Sequence, residues 1–537
     1  MNLDWKTQYP SQRTAVFAAN VVASSHPLAA QAGVQMYAAG GNAVDAALAA
    51  AIALNVLEPV CTGIGGDAFA LVWDGRRLRA INGSGRSPAS CRRENYYRYD
   101  EMPLDGWDTV TVPGAVSAWL ELSRALGKLP FRKLFEPAIR YAEEGFIVPP
   151  YIGRLWKSLV PLYKDYPGIR QLFTADGFPP KVGERFRLPL HAETLKEIAV
   201  TEGESFYRGR LAQKTAECAP AGRGLSFEDL AGHRADWVEP LCVSYRAHRL
   251  YELPPNGQGL AALIALGILE HFDLSAHGAD APEVIHLQIE AMKLAFADAY
   301  HHVADPAYMR IDCAQLLDKA YLRSRAALID PRRAQFPSYG RPREHGTVYL
   351  CAGDAAGMMV SLMQSNGRGF GSGIVVPGTG ICLHSRGNAF SLEPGHPNEV
   401  GPGKRPFHTM VPAFLTRGEA PLMAFGVMGF NMQPQAHVQM VSRLVDHEHN
   451  PQSLCDAPRW RIAYEEPAIV LEPGFPAATA EGLLARGHTL VATEKYAAAR
   501  TPFGSAQAFG SAQAALRLGY GYCAASDPRR DGQAIGF

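Results

Sequence analysis

The sequence has no surplus of charge of either sign: lysine plus arginine and aspartate plus glutamate stand at 52 each. That balance offers neither a basic field for nucleic acid nor an acidic tail, which leaves a small molecule as the expected ligand. Paired cysteines are lacking too. Cys61, Cys91, Cys218, Cys242, Cys313, Cys351, Cys382, Cys455 and Cys523 stand singly, without a C-x-x-C pair or Cys/His ligand spacing, and nine cannot all be paired. Reduced thiols in a cytoplasmic protein are the expectation. The opening Met1-Asn2-Leu3-Asp4-Trp5-Lys6 lacks the basic region and apolar run of a secretory signal. The most apolar stretch, Ala46–Leu57, is too short to cross a bilayer and reads as a buried core helix. Repeats and low-complexity tracts are absent, so nothing suggests a solenoid or a disordered tail.

What is present is apolar material for a large core, 47% of 537 residues, enough by length alone for roughly two to four units. The first half reads as mainly helical. His26–Gly40 has helical apolar spacing, Asn42 can cap a helix over Ala43–Leu57, and Pro59 would stop it. Further helical patterns cover Ala115–Leu126, Leu134–Glu144, Ala192–Thr201, Leu260–His271 and Ala281–Tyr300. Ile329–Arg343 breaks the pattern with three prolines, a glycine and four arginines, and reads as an exposed loop. Strand texture follows: Thr347–Leu350 and Met358–Gln364 flank the hairpin signal Ala352–Gly357. Gly373–Val376 and Ala468–Leu471 read as strands, and Met432–Val445 as a helix between them. Helix and sheet in stacked layers is the expected arrangement.

The chemistry centres on Glu344-His345-Gly346-Thr347-Val348-Tyr349. A loop runs into a small residue and then into a threonine that opens a strand. A cut before Thr347 would give it a free α-amine beside its own hydroxyl. With a pKa of about 7.7–8.0, that amine can serve as a base near neutrality, so one residue would hold both nucleophile and base. Taken alone, the segment better fits an ordinary strand-opening threonine, which β-branched residues favour.

The surrounding motifs decide between these readings. Thr347 is followed by Gly353–Gly357, Asn366, Phe370-Gly371-Ser372-Gly373, Gly378-Thr379-Gly380-Ile381, Gly401-Pro402-Gly403-Lys404-Arg405-Pro406 and Asp456-Ala457-Pro458-Arg459. Upstream stand Gly40-Gly41-Asn42-Ala43-Val44-Asp45-Ala46, Gly63-Ile64-Gly65-Gly66-Asp67, Val112-Pro113-Gly114 and Ala304-Asp305-Pro306. In this order, from about residue 20 to Asp527, the chain resembles the γ-glutamyltransferase family, whose proenzymes cut themselves before a threonine. The resemblance implies an α+β fold, the four-layer αββα sandwich of N-terminal-nucleophile hydrolases. It also implies self-cleavage between Gly346 and Thr347 into a large subunit, 1–346, and a small one, 347–537, intertwined in one core. Thr347 becomes the nucleophile. Gly429 and Phe430, in Gly426-Val427-Met428-Gly429-Phe430, supply the backbone donors for the oxyanion. Asn366, allowing a shift of one residue, contacts the nucleophile. Arg86 grips a substrate carboxylate with Thr409, beside His408. No metal or organic cofactor is implied, and pairing of two such heterodimers is compatible with the family.

Two other clusters read as structural. Gly63-Ile64-Gly65-Gly66 has no Walker lysine after it, so a tight turn near the site is expected instead of a phosphate loop. His301-His302, with Asp298 and Asp305 nearby, could suggest a metal, but adjacent histidines point apart on a helix.

The chain also departs from glutathione-type members. Ala389, after Asn388, stands where they carry the acid that holds the glutamyl ammonium, and Arg386 adds positive charge. Glu393–Lys404 is shorter than in members with a closing lid, so no lid is expected. Gly429-Phe430 replaces their Gly-Gly, adding a phenyl ring. The pattern resembles the oxamate-hydrolysing branch, which implies hydrolysis of a small carboxylate-bearing amide, best represented by oxamate going to oxalate and ammonia in purine catabolism. A γ-glutamyl hydrolase or transferase acting on glutathione-like substrates and an unprocessed pseudoenzyme binding an acidic metabolite are the alternatives.

Overall fold

The hairpin at Thr347 organises the molecule. In the strand Gly346–Gly353 successive side chains alternate between two apolar environments, as the period of a strand requires. Val348, Leu350 and Ala352 face a layer of helices, while Tyr349 and Cys351 face a second sheet. This is a computed structural model, and it describes residues 4, 9–11, 13–335, 346–463, 468–491 and 508–537.

Two seven-stranded antiparallel sheets stack face to face. One runs in the order Gln533–Gly536, Val21–Ser24, Gly346–Gly353, Met359–Gly367, Asp67–Trp73, Leu78–Asn82, Asp236–Val238. The other runs Val16–Ala18, Tyr522–Ser526, Ser511–Arg517, Ala420–Met428, Ala413–Arg417, His248–Glu252, Leu241–Tyr245. Phe69, Leu71, Met359, Met363, Phe414 and Met428 pack between them. Helices that include Pro27–Ala38, Ala43–Leu57 and Ala115–Leu126 cover the outer face of the first sheet. Gly259–Leu269, Pro282–His302 and Met432–Val445 cover that of the second. The result is the αββα sandwich that the resemblance implies.

The expected helices form close to their predicted bounds, and Asn42 caps Ala43–Leu57 through a capping box with Asp45. Ala43–Leu57 is buried on every side, which its near-uniform apolar sequence requires. Two corrections are needed. Gly373–Val376 is not a strand: Gly373 has φ +79° and Val375 makes only an isolated bridge to Cys382. The first half is also less purely helical than it reads, because seven of its short strands enter the two sheets. All nine cysteines are free. No helix among the described residues is long and apolar enough to cross a membrane.

Both sheets mix strands from either side of Thr347, and the strand that carries it lies between Val21–Ser24 and Met359–Gly367. The expected subunits 1–346 and 347–537 would therefore share both sheets. The expected cleavage loop, 336–345, lies outside the described residues.

Candidate active site

Thr347 sits where the pairing with Met359–Gly367 slips by one residue, between Gly346 and Val348. It is buried, and its Oγ1 donates to Ser365 Oγ at 3.5 Å. Strand alternation explains this partner. Ser361 Oγ reaches Phe425 O of the facing sheet and Met363 Sδ accepts Val411 N–H, so Ser365 is the next position on the inner face. Asn366 takes the opposite face. Its amide makes no hydrogen bond among the described residues and lies against the Gly63–Gly66 turn, closed by Gly66 N–H to Gly63 O at 2.9 Å. A Cβ on Gly63 would come within 2.7 Å of Asn366 Nδ2, so these glycines serve close packing at the site. Contact with Thr347 falls to Ser365, one residue from the expected position.

The second sheet brings the other parts. Its strand Ala420–Met428 ends in Gly429, with φ +132°, and Phe430, with φ +60°, before the helix Met432–Val445. Gly429 O accepts Met432 N–H at 2.9 Å. In a trans peptide the N–H opposes the carbonyl, so the Phe430 N–H points away from the helix. The positive end of the helix dipole lies at this turn. Gln258 Nε2 donates to both Thr409 O and Phe430 O at 2.8 Å, pinning the turn to the segment that carries Thr409. Sequence reading missed Gln258, although Asn256-Gly257-Gln258-Gly259 before an apolar helix is a turn signal.

A cavity of about 520 Å³ opens beside this cluster. Thr409, Asn431, Asn388 and Ala389 line it together with apolar Met102, Val303, Phe390, Leu392 and Phe407. Asp100, Glu101 and Glu393 also contribute to its wall. Behind Thr409 is a buried polar cluster. Arg386 Nη1 donates to Thr409 Oγ1 at 2.9 Å. Burial pulls this guanidinium down to about 10, with Asp67 opposing. His408 Nδ1 accepts Met410 N–H, so its proton resides on Nε2, which faces Asp67 Oδ2 at 3.2 Å. His384 repeats the device: Nδ1 accepts Arg386 N–H, and Nε2 lies 3.5 Å from Asp67 Oδ1. His408 thus orients Asp67, and it is Thr409 that reaches the cavity.

Burial pushes the Asp67 carboxyl up to about 7, against Arg386 and the Gly114 N–H, which pull it down. The folded chain therefore holds this proton more tightly than the unfolded chain, whose carboxyl titrates at about 3.9. Asp67 stabilises the fold fully below that value and loses the contribution as pH rises from about 4 to about 7. Asp67→Asn removes this titration. The difference in Tm, variant minus wild type, is expected to grow from pH 5 to pH 8; a constant difference would place the titration elsewhere.

Arg86 lies apart from the cavity wall. Its side chain is 47% exposed, and Nη1 donates to Asp305 Oδ2 at 2.7 Å and Gly403 O at 3.0 Å. The acids near His301 and His302 are engaged elsewhere, Asp298 with Tyr321 and Arg325 and Asp305 with Arg86. Among the described residues one group has metal-ligand geometry: His286, Glu290 and His488. There His286 Nδ1 and His488 Nε2 hydrogen-bond at 2.7 Å and Lys293 holds Glu290 at 2.8 Å, so the donors are already satisfied without an ion.

The chain is 35% identical over 525 residues to the glutathione hydrolase-like YwrD proenzyme of Bacillus subtilis (strain 168), covering 96% of this chain and 98% of that one. It is 34% identical to the oxamate amidohydrolase proenzyme of Klebsiella pneumoniae, covering 95% of this chain and 97% of that one. Among solved structures, the cephalosporin acylase of Bacillus halodurans superposes with TM-score 0.92 at 44% identity, over 100% of this chain and 99% of that one. The family model described as gamma-glutamyltranspeptidase matches residues 29–537. With that match over an αββα sandwich, the chain belongs to the γ-glutamyltranspeptidase family and carries its N-terminal-nucleophile hydrolase fold.

Proposed function

We propose that the protein is an autoprocessing amidohydrolase that cuts itself between Gly346 and Thr347 and then hydrolyses an amide bearing a carboxylate. In this reading Thr347 Oγ attacks the amide carbonyl while the freed α-amine takes the hydroxyl proton. The N–H groups of Gly429 and Phe430 stabilise the tetrahedral oxyanion. Collapse expels the amine with that proton and leaves an ester on Thr347, which water cleaves to release the acid and restore the hydroxyl. The buried hydroxyl of Thr347, its Ser365 partner and the oriented turn at Phe430 support these roles.

One observation carries the substrate class. Ala389 stands on the cavity wall and Arg386 lies buried behind Thr409, so the Thr409 end of the cavity offers a hydroxyl backed by a cation where an ammonium would need an acid. Oxamate satisfies that charge pattern. The cavity of about 520 Å³ also admits a longer acyl chain, since pockets of this size commonly hold far larger ligands. Asp100, Glu101 and Glu393 on the same wall favour the second reading, a γ-glutamyl hydrolase whose substrate ammonium reaches one of them.

Amine or ammonia release from oxamate, a glutaryl amide and a γ-glutamyl amide separates the readings, with wild type and Ala389→Asp compared after equal processing. The wild type is expected to prefer the ammonium-free amides. The variant should lose on those and gain tenfold or more on the γ-glutamyl amide, the approximate worth of one charge-assisted bond. Efficient γ-glutamyl hydrolysis by the wild type, with the other amides untouched, would replace the first reading by the second.

A further inference from the structure

Arg386 is a buried cation with hydrogen-bonding capacity left over. The residue is 2% exposed, Nη1 is spent on Thr409 Oγ1, and neither Nε nor Nη2 has a hydrogen-bond partner among the described residues. A guanidinium carries no acceptor, so the Thr409 hydroxyl must receive that bond and keeps its own proton to donate elsewhere. Thr409 lines the cavity, beside Asn388 and Asn431. The cavity therefore meets a hydroxyl fixed as a donor, with a full positive charge directly behind it. The acid facing that charge is Asp67, which the Nε2 atoms of His384 and His408 also face.

We propose that Arg386 sets the specificity of this site: it holds Thr409 as a donor and selects an anionic group, a carboxylate, at the Thr409 end of the cavity. An ammonium placed there would meet a donor and a like charge. A carboxylate accepts the Thr409 proton and balances the guanidinium across one hydroxyl. Nε and Nη2 are closed off from solvent, so Arg386 acts through Thr409 and through its field, as a positioning residue. The inference rests on the carboxylate-amide reading above and names the side chain that enforces it.

Its test reads binding, so that it survives a failure of the catalytic reading. Glutarate and its uncharged analogue glutaramide are titrated calorimetrically into processed wild type, Arg386→Gln, Arg386→Lys and Thr409→Val. The Kd for glutarate is expected to rise tenfold or more in Arg386→Gln and Thr409→Val and to recover in part in Arg386→Lys. The Kd for glutaramide should stay put throughout. A merely structural role would weaken both probes equally. That result, an unchanged glutarate affinity in Arg386→Gln, or a wild type that binds neither probe overturns the proposal. If glutarate binds through Arg386 yet no carboxylate-bearing amide is hydrolysed, the proposed function falls and this inference stands.

Discussion

Thr347→Ala is expected to leave the chain as one 58.2 kDa species on denaturing electrophoresis, where the wild type resolves into two. Alanine keeps the strand and its pairing but removes the hydroxyl proposed to attack the preceding carbonyl. Activity should fall by about 10⁴-fold or more, the scale seen when a nucleophile is deleted and binding groups remain. Thr347→Ser keeps an attacking oxygen and should retain slower cleavage. The idea is lost if the alanine variant still splits at Gly346 without protease.

Gly429→Ala should also be damaging, though less so and for a different reason. Gly429 has φ +132°, a region closed to side chains, and an added Cβ would approach Gly510 Cα to 2.9 Å. Gly510 runs equally close to the preceding residue, where a Cβ on Gly510 would lie 2.2 Å from the Met428 carbonyl. The turn must therefore rotate, swinging the Phe430 N–H off its line. A loss of one oxyanion donor costs about 10²–10³ in kcat, with little change in KM. A variant with wild-type kcat would move the oxyanion site away from this turn.

Much of this arrangement is legible in the residues. Ala43–Leu57 declares itself through its cap and unbroken apolar run, and the hairpin after Thr347 through its turn signal and alternation. The short strands of the first half do not: Leu78–Asn82 and Asp236–Val238 are too brief to show a period and are fixed by neighbours distant in sequence. The site divides the same way. Thr347 and the Gly429-Phe430 turn are marked by the order of motifs around them, through resemblance to the family. Ser365 emerges only when strand register chooses between it and Asn366. Arg386 reads in sequence as an added charge near Ala389, and only its burial behind Thr409 gives it a role. Arg86 shows the converse, a residue marked by resemblance whose guanidinium rests half exposed on Asp305.

The position of Gly346–Gly353 inside its sheet bears on how the protein survives denaturation. While the Gly346–Thr347 bond is intact, the two halves of each sheet are tethered, and refolding is a unimolecular search at high effective concentration. A cut there would leave the two pieces interleaved in both sheets. Unfolding, however, then releases two chains. Renaturation becomes a second-order encounter that slows on dilution and competes with aggregation, and apparent stability acquires a dependence on protein concentration. Maturation would thus make the enzyme's first folding its easiest one, and heat inactivation hard to reverse.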